Sequence, residues 1–395
     1  MRVAGLFSGI GGLELPFARR GGETALLSEN CNEAAAVLRQ HFAGVPLHAD
    51  VATLDALPEG IEVVTAGFPC TDLSQAGRTA GIEGAASGLV AHVFRLLRDR
   101  PVAWLVLENV RNMLVLDRGR AMAFLIHALE ELGFRWAYRL VDSRFSGVPQ
   151  RRHRVLFVAS PIHDPRAVLF ADEAGPPPAS ALRDDAFGFY WTEGLRGLGW
   201  AADAVPPLKG GSTVGIPSPP AIWLPNAPLG RRLVTPSIED AEVLQGFARG
   251  WTLAGRRGRR DGPRWRLVGN AVTVGVADWL AGRLYAPGTV ILPSLPHRGG
   301  PPWPDAAHGE GGRFWRVDAS PWPERRPYRH LTEVVDPDRL PPLSARAAAG
   351  FHARALRARL RFPDGFLADV HAHADALRRE PGDGASAGVR LAEEV

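Results

Sequence analysis

The stretch Arg2-Val3-Ala4-Gly5-Leu6-Phe7-Ser8-Gly9-Ile10-Gly11-Gly12 decides the fold. Its first half is a short apolar run of the length of a buried strand, and the glycines after Ser8 mark a tight turn that opens a helix. Glycines in that position let the backbone approach a ligand closely at the carboxyl edge of a sheet. Phe7, Ser8, Gly9, Ile10, Gly11 and Gly12 are therefore the first candidate binding residues. A GxGG turn also occurs as a plain tight connection, so the residues around it must decide.

Working outward, residues 25–28 form a second predicted strand, and Glu29 ends it, 20 residues beyond Gly9. An acidic side chain there is placed to take the two hydroxyls of a ribose. A nucleoside cofactor is expected, and the pattern does not separate a nicotinamide dinucleotide from S-adenosylmethionine. Asp50 follows a short β run at 46–49 and suits either an adenine amino group or a solvated turn.

The alternation continues. Strands are predicted at 61–66, 104–107 and 154–159, with helices at 32–41, 88–100 and 121–132. Strands alternating with helices of about 10–15 residues predict an α/β fold, a doubly wound and mostly parallel sheet over residues 1–160. After Ser160 the texture changes. Residues 161–230 are rich in Pro, Gly and Trp and lack helical periodicity, which predicts a smaller, loop-rich β domain. Helical patterning returns at 237–247, at 272–284 and from about Ser344. Residues 287–395 read as a C-terminal extension, structural in the first instance, with a DNA contact or a partner surface as the other readings.

The chain has 395 residues and only two cysteines, Cys31 and Cys70, which excludes a disulfide framework and a cysteine-based zinc site. No apolar run reaches the roughly 18–20 residues of a membrane span. The first residues run straight into the glycine turn without a cleavage site, so a cytoplasmic location is expected. Net charge is +4, and Lys209 is the only lysine, so 45 of the 46 basic residues are arginine. Arginine binds phosphates and guanine edges in bidentate fashion, which suits nucleic acid. A GC-rich genome yields the same excess of Arg, Ala, Gly and Pro, so this is support only.

Three further blocks carry chemistry. Gly67-Phe68-Pro69-Cys70-Thr71-Asp72-Leu73-Ser74 directly follows the third clear strand, which brings Cys70 to the same sheet edge as the glycine turn. Structural cysteines favour strand interiors, and one after a proline in a polar loop is a better candidate nucleophile. Glu108-Asn109-Val110 ends the next strand, where Glu108 either faces the same pocket or caps a helix. Gln150-Arg151-Arg152-His153-Arg154 leads into the last strand, and its alternate arginines either present cations to a pocket or form a solvated basic turn.

These blocks, in this order, resemble the motif series of the DNA (cytosine-5-)-methyltransferases of bacterial type. Residues 7–14 resemble the cofactor loop, 67–74 the Pro-Cys nucleophile loop, 108–110 the Glu-Asn-Val block and 150–154 the Gln-Arg-x-Arg block. Arg232-Leu233-Val234-Thr235 through Leu244-Gln245-Gly246-Phe247 resembles the block after the target recognition domain, and Gly269-Asn270-Ala271-Val272 the final one. The match runs over roughly residues 2–285. It departs from the family at Gly5, where an acidic residue is usual, at Thr71, where Gln is usual, and at Ala271 of the last block.

The resemblance implies a Rossmann-like, class I S-adenosylmethionine-dependent methyltransferase with no metal. Its catalytic domain, 1–160, would be completed by 266–286, and 161–265 would form the target recognition domain and hinge. It implies methyl transfer to C5 of a cytosine flipped out of double-stranded DNA, through a covalent bond from Cys70 to C6. Glu108 would hold N3 and N4, Arg152 and Arg154 would bind O2, and Ser74 would touch the DNA backbone. Cofactor contacts would extend from the glycine turn, Glu29 and Asp50 to Val51, Pro69, Leu89, Asn270, Ala271 and Val272. Lys209-Gly210-Gly211-Ser212-Thr213 lies where the family places its recognition loops, and Arg256-Arg257-Gly258-Arg259-Arg260 would meet phosphates. A monomer is expected, serving a restriction-modification system beside a cognate endonuclease or acting alone. The alternatives are the tRNA branch of the family, whose loop usually reads Pro-Pro-Cys-Gln, and a catalytically silent DNA-binding regulator.

Overall fold

The computed structural model describes residues 1–68, 88–195, 197–211, 218–258 and 261–379. Five strands pair in parallel: β1 (Arg2–Leu6), β2 (Glu23–Ser28), β3 (Leu47–His48), β4 (Val63–Ala66) and β5 (Trp104–Val110), in the spatial order β3-β2-β1-β4-β5. The chain leaves β1 in one direction and returns on its other side, so the carboxyl ends of β1 and β4 flank a switch point. The intervening helices are α1 (Leu15–Arg19), α2 (Asn32–His41), α3 (Leu89–Asp99) and α4 (Arg120–Glu131). In α3, Val90, Val93, Phe94 and Leu97 recur at helical spacing and are all buried.

Side chains of a strand alternate between faces, and here both faces are covered. Ala4, Leu6, Val64, Ala66, Leu105 and Leu107 join one core beneath α3 and α4. Val3, Val63 and Val106 join a second core. That second core is closed by Val276, Trp279 and Leu280 of a helix from far along the chain, Val274–Tyr285.

Beyond β5 the sheet turns antiparallel. β6 (Arg135–Asp142) and β7 (His153–Ser160) form a hairpin, with β7 inserted beside β5. α5 (Arg166–Leu169) follows. A second, four-stranded antiparallel sheet is formed by β8 (Phe187–Phe189), β9 (Trp200–Ala202), β10 (Ala221–Trp223) and β11 (Leu233–Val234), in the order β11-β10-β8-β9. Next come α6 (Ile238–Leu244), α7 (Gly262–Asn270) and the helix already met, α8 (Val274–Tyr285). A buried ion pair at 3.0 Å between Glu242 of α6 and Arg264 of α7 binds these two helices, and the Thr252 amide donates to the same carboxylate at 2.8 Å.

The stretch expected as one C-terminal extension is divided between the two sheets. β12 (Ser294–His297), β13 (Ala306–Glu310) and β14 (Arg313–Val317) extend the main sheet past β6 in the order β6-β13-β14-β12. Without β13, β6 would be an edge with unpaired N–H and C=O groups. The rings of Trp136 and Phe314, 5.7 Å apart, seal that junction. The rest of the tail, α9 (Leu331–Val334), α10 (Ala345–Ala355) and α11 (Phe366–Arg379), covers the small sheet. Phe351, Phe366 and Val370 bury Phe189, Ala221 and Trp223 there. Among the described residues no helix is long and apolar enough to cross a membrane, and no cluster of His, Cys, Asp or Glu is arranged to hold a metal.

Candidate active site

The site is built at the carboxyl edge of the parallel strands. After β1 the backbone folds back through Phe7, Gly9 and Gly11, all with positive φ (55°, 56° and 83°). A β-carbon on Gly11 would strike the Phe42 ring, and one on Gly12 would lie 2.9 Å from the Val272 carbonyl oxygen. The turn is therefore glycine-rich for conformational and packing reasons together. Glu29 locks it from the next strand: its carboxylate accepts from the amides of Gly9 and Cys31, both at 2.8 Å. Burial raises the pKa of this carboxyl group above its ordinary value.

A cavity of about 580 Å³ opens here, and Phe7, Gly9, Glu29, Leu89, Asn270 and Ala271 all line it. Residues 30–34, Arg266 and Leu267 line it as well, and nothing in the sequence pattern singled them out. Other candidates stand behind the wall. Ile10 is buried among Leu38, Phe42 and Phe247, and Val272 packs on Leu13 and Ala277. Val51 lies in the core beside Leu54 and Leu57. Asp50 caps the short turn after it, accepting from the Ala52 amide at 2.9 Å. Ser8 is buried, and Pro69, like Cys70 and Ser74, lies outside the described residues.

A second cavity, about 260 Å³, adjoins the first and shares Gly67 and Asn270 with it. Gly67 puts no side chain between the Phe7 carbonyl and Glu108: a β-carbon there would lie 3.9 and 4.0 Å from them. Antiparallel register sets Glu108 opposite Leu156 and Val110 opposite Arg154, so Glu108 and Arg154 share a face. Their charged groups pair at 2.8 Å. Asn109 points elsewhere, donating to the Phe68 carbonyl at 3.1 Å and so holding the chain that enters the 69–87 segment.

Arg152 lines this cavity as well, and its Nε has no partner among the described residues. It is wholly buried, with Nη1 donating to the Leu208 carbonyl at 2.9 Å and Nη2 to those of Gly269 at 3.2 Å and Ala271 at 2.9 Å. Gln150 likewise bonds Gln245 Oε1 at 2.7 Å and receives the Leu208 amide at 2.9 Å. Gln245 in turn bonds the carbonyls of Val268 and Ala271. Three of the sequence blocks thus meet in one buried network in which amide and guanidinium groups tie distant loops together. Of the basic run after Trp251, Arg257 lies 2.5 Å from Glu33 and Arg256 3.2 Å from Asp261, while Arg259 and Arg260 lie outside the described residues.

Gly5 has a structural reason. A β-carbon there would lie 2.5 Å from Glu14 Oε1 and 2.6 Å from Ser8 Oγ. Glu14 fills the space, wholly buried, accepting from Thr65 Oγ1 at 2.6 Å with its second oxygen unpartnered among the described residues. Burial pushes this carboxyl from 4.5 up to about 7, and the Thr65 bond offsets only part of that. The folded chain therefore holds the proton more tightly than the unfolded one. Stability falls as pH rises from 4.5 towards about 7, and the full loss is present above that; it amounts to about 3 kcal/mol. Glu14→Gln stays neutral throughout, so it is expected to remove this fall and to exceed the wild type in stability at about pH 8. Urea denaturation of both proteins across this range checks it. A variant with the wild-type pH dependence would show that Glu14 is ionised in the fold.

A doubly wound sheet with two adjoining cavities at its switch point, one lined by a carboxylate at the end of β2, is the architecture of a class I methyltransferase. The family model of the C-5 cytosine-specific DNA methylases matches residues 1–166. Over 369 residues the chain is 44% identical to the Type II methyltransferase M2.BsuMI of Bacillus subtilis (strain 168), covering 90% of this chain and 94% of that one. It is 27% identical over 297 residues to the Type II methyltransferase M.MspI of Moraxella sp, covering 70% of this chain and 68% of that one. The crystal structure of S. pombe Dnmt2 methyltransferase superposes with a TM-score of 0.51 at 14% identity, over 73% of this chain and 99% of that one, a likeness of fold. The chain belongs to the C-5 cytosine-specific DNA methylase family and is accordingly a DNA (cytosine-5-)-methyltransferase.

Proposed function

We propose that the chain uses S-adenosylmethionine to methylate C5 of a cytosine rotated out of a specific sequence in duplex DNA. The observation that carries this reading is the pair of cavities joined across Gly67 and Asn270. Phe7 offers a ring for the adenine, and Glu29 a carboxylate for the ribose hydroxyls, so the residues present fit that cofactor. When bound, its sulfonium supplies an electrophilic methyl group.

The second cavity would take the base. Rotating a base out of the duplex costs a few kcal/mol, which its contacts in the pocket must recover. The Cys70 thiolate adds to C6, the C5–C6 pair of electrons moves to C5, and the ring becomes nucleophilic enough to accept the methyl group. Glu108 accepts from the N4 amino group and supports protonation at N3. Arg154, paired with Glu108, orients it and takes the O2 side. Arg152, which lines the same cavity, fixes its wall through Nη donors held by carbonyls. Loss of the C5 proton then returns the electron pair through the ring and expels the thiolate.

The same reading makes the chain a monomeric, cytoplasmic modification enzyme beside a cognate restriction endonuclease. Bisulfite sequencing of DNA from cells expressing the chain, with labelled methyl transfer to purified duplex DNA and tRNA, tests it. Protected cytosines within one short recurring sequence are expected. Transfer to tRNA alone, or none to either, would overturn the proposal.

A further inference from the structure

We propose that the turn joining α10 to α11, Leu356-Arg357-Ala358-Arg359-Leu360-Arg361, is a contact surface for the phosphate backbone of duplex DNA. The inference rests on duplex DNA being the substrate. It assigns a role to a part of the tail that the catalytic chemistry does not use.

The first argument is charge. Arg357, Arg359 and Arg361 are exposed, and among the described residues none of them stands in an ion pair. Arginines nearby behave otherwise: Arg232 pairs with Asp369, and Arg378 with Asp375 at 3.3 Å. The turn also exposes Leu356 (64%) and Leu360 (37%), although α10 and α11 bury their own apolar faces on the small sheet. Three guanidinium groups within five residues, and one carboxylate close by at Asp364, make a strongly positive tip.

The second argument is rigidity. The Phe362 ring packs 6.0 Å from Phe351 and 5.2 Å from Phe366, and Trp200 Nε1 donates to the Arg361 carbonyl at 2.9 Å. A tip fixed in this way loses little backbone freedom on binding a partner.

The third is position, read through direct contacts. Arg354, at the end of α10, donates to the carbonyls of Trp191 at 2.5 Å and Glu193 at 3.1 Å. The Glu193 carboxylate lies 3.1 Å from Lys209 Nζ. The next residue, Gly210, packs so closely on Asn270 that a β-carbon would lie 2.5 Å from Asn270 Oδ1. Asn270 lines both cavities. The basic turn is therefore tied to the catalytic edge by a short relay of direct contacts. Arginines of this kind bind phosphates in any sequence and set the register of the duplex.

The test is R357Q/R359Q/R361Q against wild type and R357K/R359K/R361K, with fluorescein-labelled duplex DNA in anisotropy titrations at about 50–300 mM salt. Each phosphate contact adds about 0.9 to the slope of log affinity against log salt. The Gln variant is expected to lose about 2–3 from that slope and to bind at least about ten-fold more weakly near 100 mM. The Lys variant is expected to keep most of the slope, because the charge is retained. Thermal midpoint and S-adenosylmethionine affinity should not move in either. Unchanged slope and affinity in the Gln variant, alongside a wild type that binds and methylates DNA, would overturn this inference alone. A wild type that binds no duplex would overturn the DNA reading first and this one with it.

Discussion

Cys70→Ser is expected to lower methyl transfer by at least about 10³-fold and to abolish the covalent complex with DNA that carries 5-fluorocytosine. The thiol is the only group proposed here that forms a bond to the base. A hydroxyl is a far weaker nucleophile than a partly ionised thiol, whose ordinary pKa is about 8.5. The described residues that lead up to it support the assignment. Phe68 lines the smaller cavity, and its carbonyl is held by Asn109 at 3.1 Å. One residue, Pro69, stands between Phe68 and Cys70, a chain reach of at most about 7 Å. Fluorine at C5 makes the test specific, since it cannot leave as a cation and the adduct cannot collapse. Affinity for the duplex and for the cofactor should stay within about three-fold of wild type, because neither depends on the C6 bond. Gel analysis of the trapped complex reads the outcome. A serine variant that still forms the adduct would remove Cys70 from the chemistry.

Much of the architecture is legible in the order of residues because local and tertiary demands agree there. The predicted helix at 32–41 is the observed α2, and the predicted helix at 88–100 is one residue longer at each end than α3. Periodicity works in these segments because one face of each is buried. β6 was not foreseen. Its sequence, Arg-Trp-Ala-Tyr-Arg-Leu-Val-Asp, carries charges that a buried strand would not be expected to hold. Arg139 lies inside all the same, because its guanidinium reaches the carbonyls of Leu169, Asp172 and Ser320 and the Glu173 carboxylate. The short strands β12–β14 carry too few residues for a period to show. At the site, the glycine turn, Glu29 and Glu108 were legible from their places at strand ends. Arg266 and residues 30–34 were not, since a helix start and a rim cation look like ordinary surface until a cavity lies beside them. The departure at Gly5 has a reason that only the packing shows. It is the space that the Glu14 carboxylate occupies.

Arg152→Ala is expected to destabilise the protein by about 3–5 kcal/mol, with cofactor affinity and methyl transfer falling together. The side chain links three segments that are far apart in sequence: the chain that enters β7, Leu208, and the carbonyls on either side of Asn270. Truncating it takes a donor from the carbonyls of Leu208, Gly269 and Ala271, of which Ala271 keeps its bond from Gln245; a buried carbonyl left unpaired costs about 1–3 kcal/mol, and the losses are not fully additive. Lysine does not restore the arrangement, because a compact ammonium group cannot reproduce the spread of a planar guanidinium. Arg154, two residues on, makes a contrasting case. Its partner is Glu108 at 2.8 Å, in the cavity proposed for the base. Arg154→Gln is therefore expected to lower the rate by about 10²-fold with a smaller change in stability than Arg152→Ala. Denaturant midpoints, cofactor titration and single-turnover rates on both variants separate the two roles. If Arg152→Ala unfolds at the wild-type midpoint and binds cofactor normally, yet transfers no methyl group, then its guanidinium acts on the substrate and not on the wall.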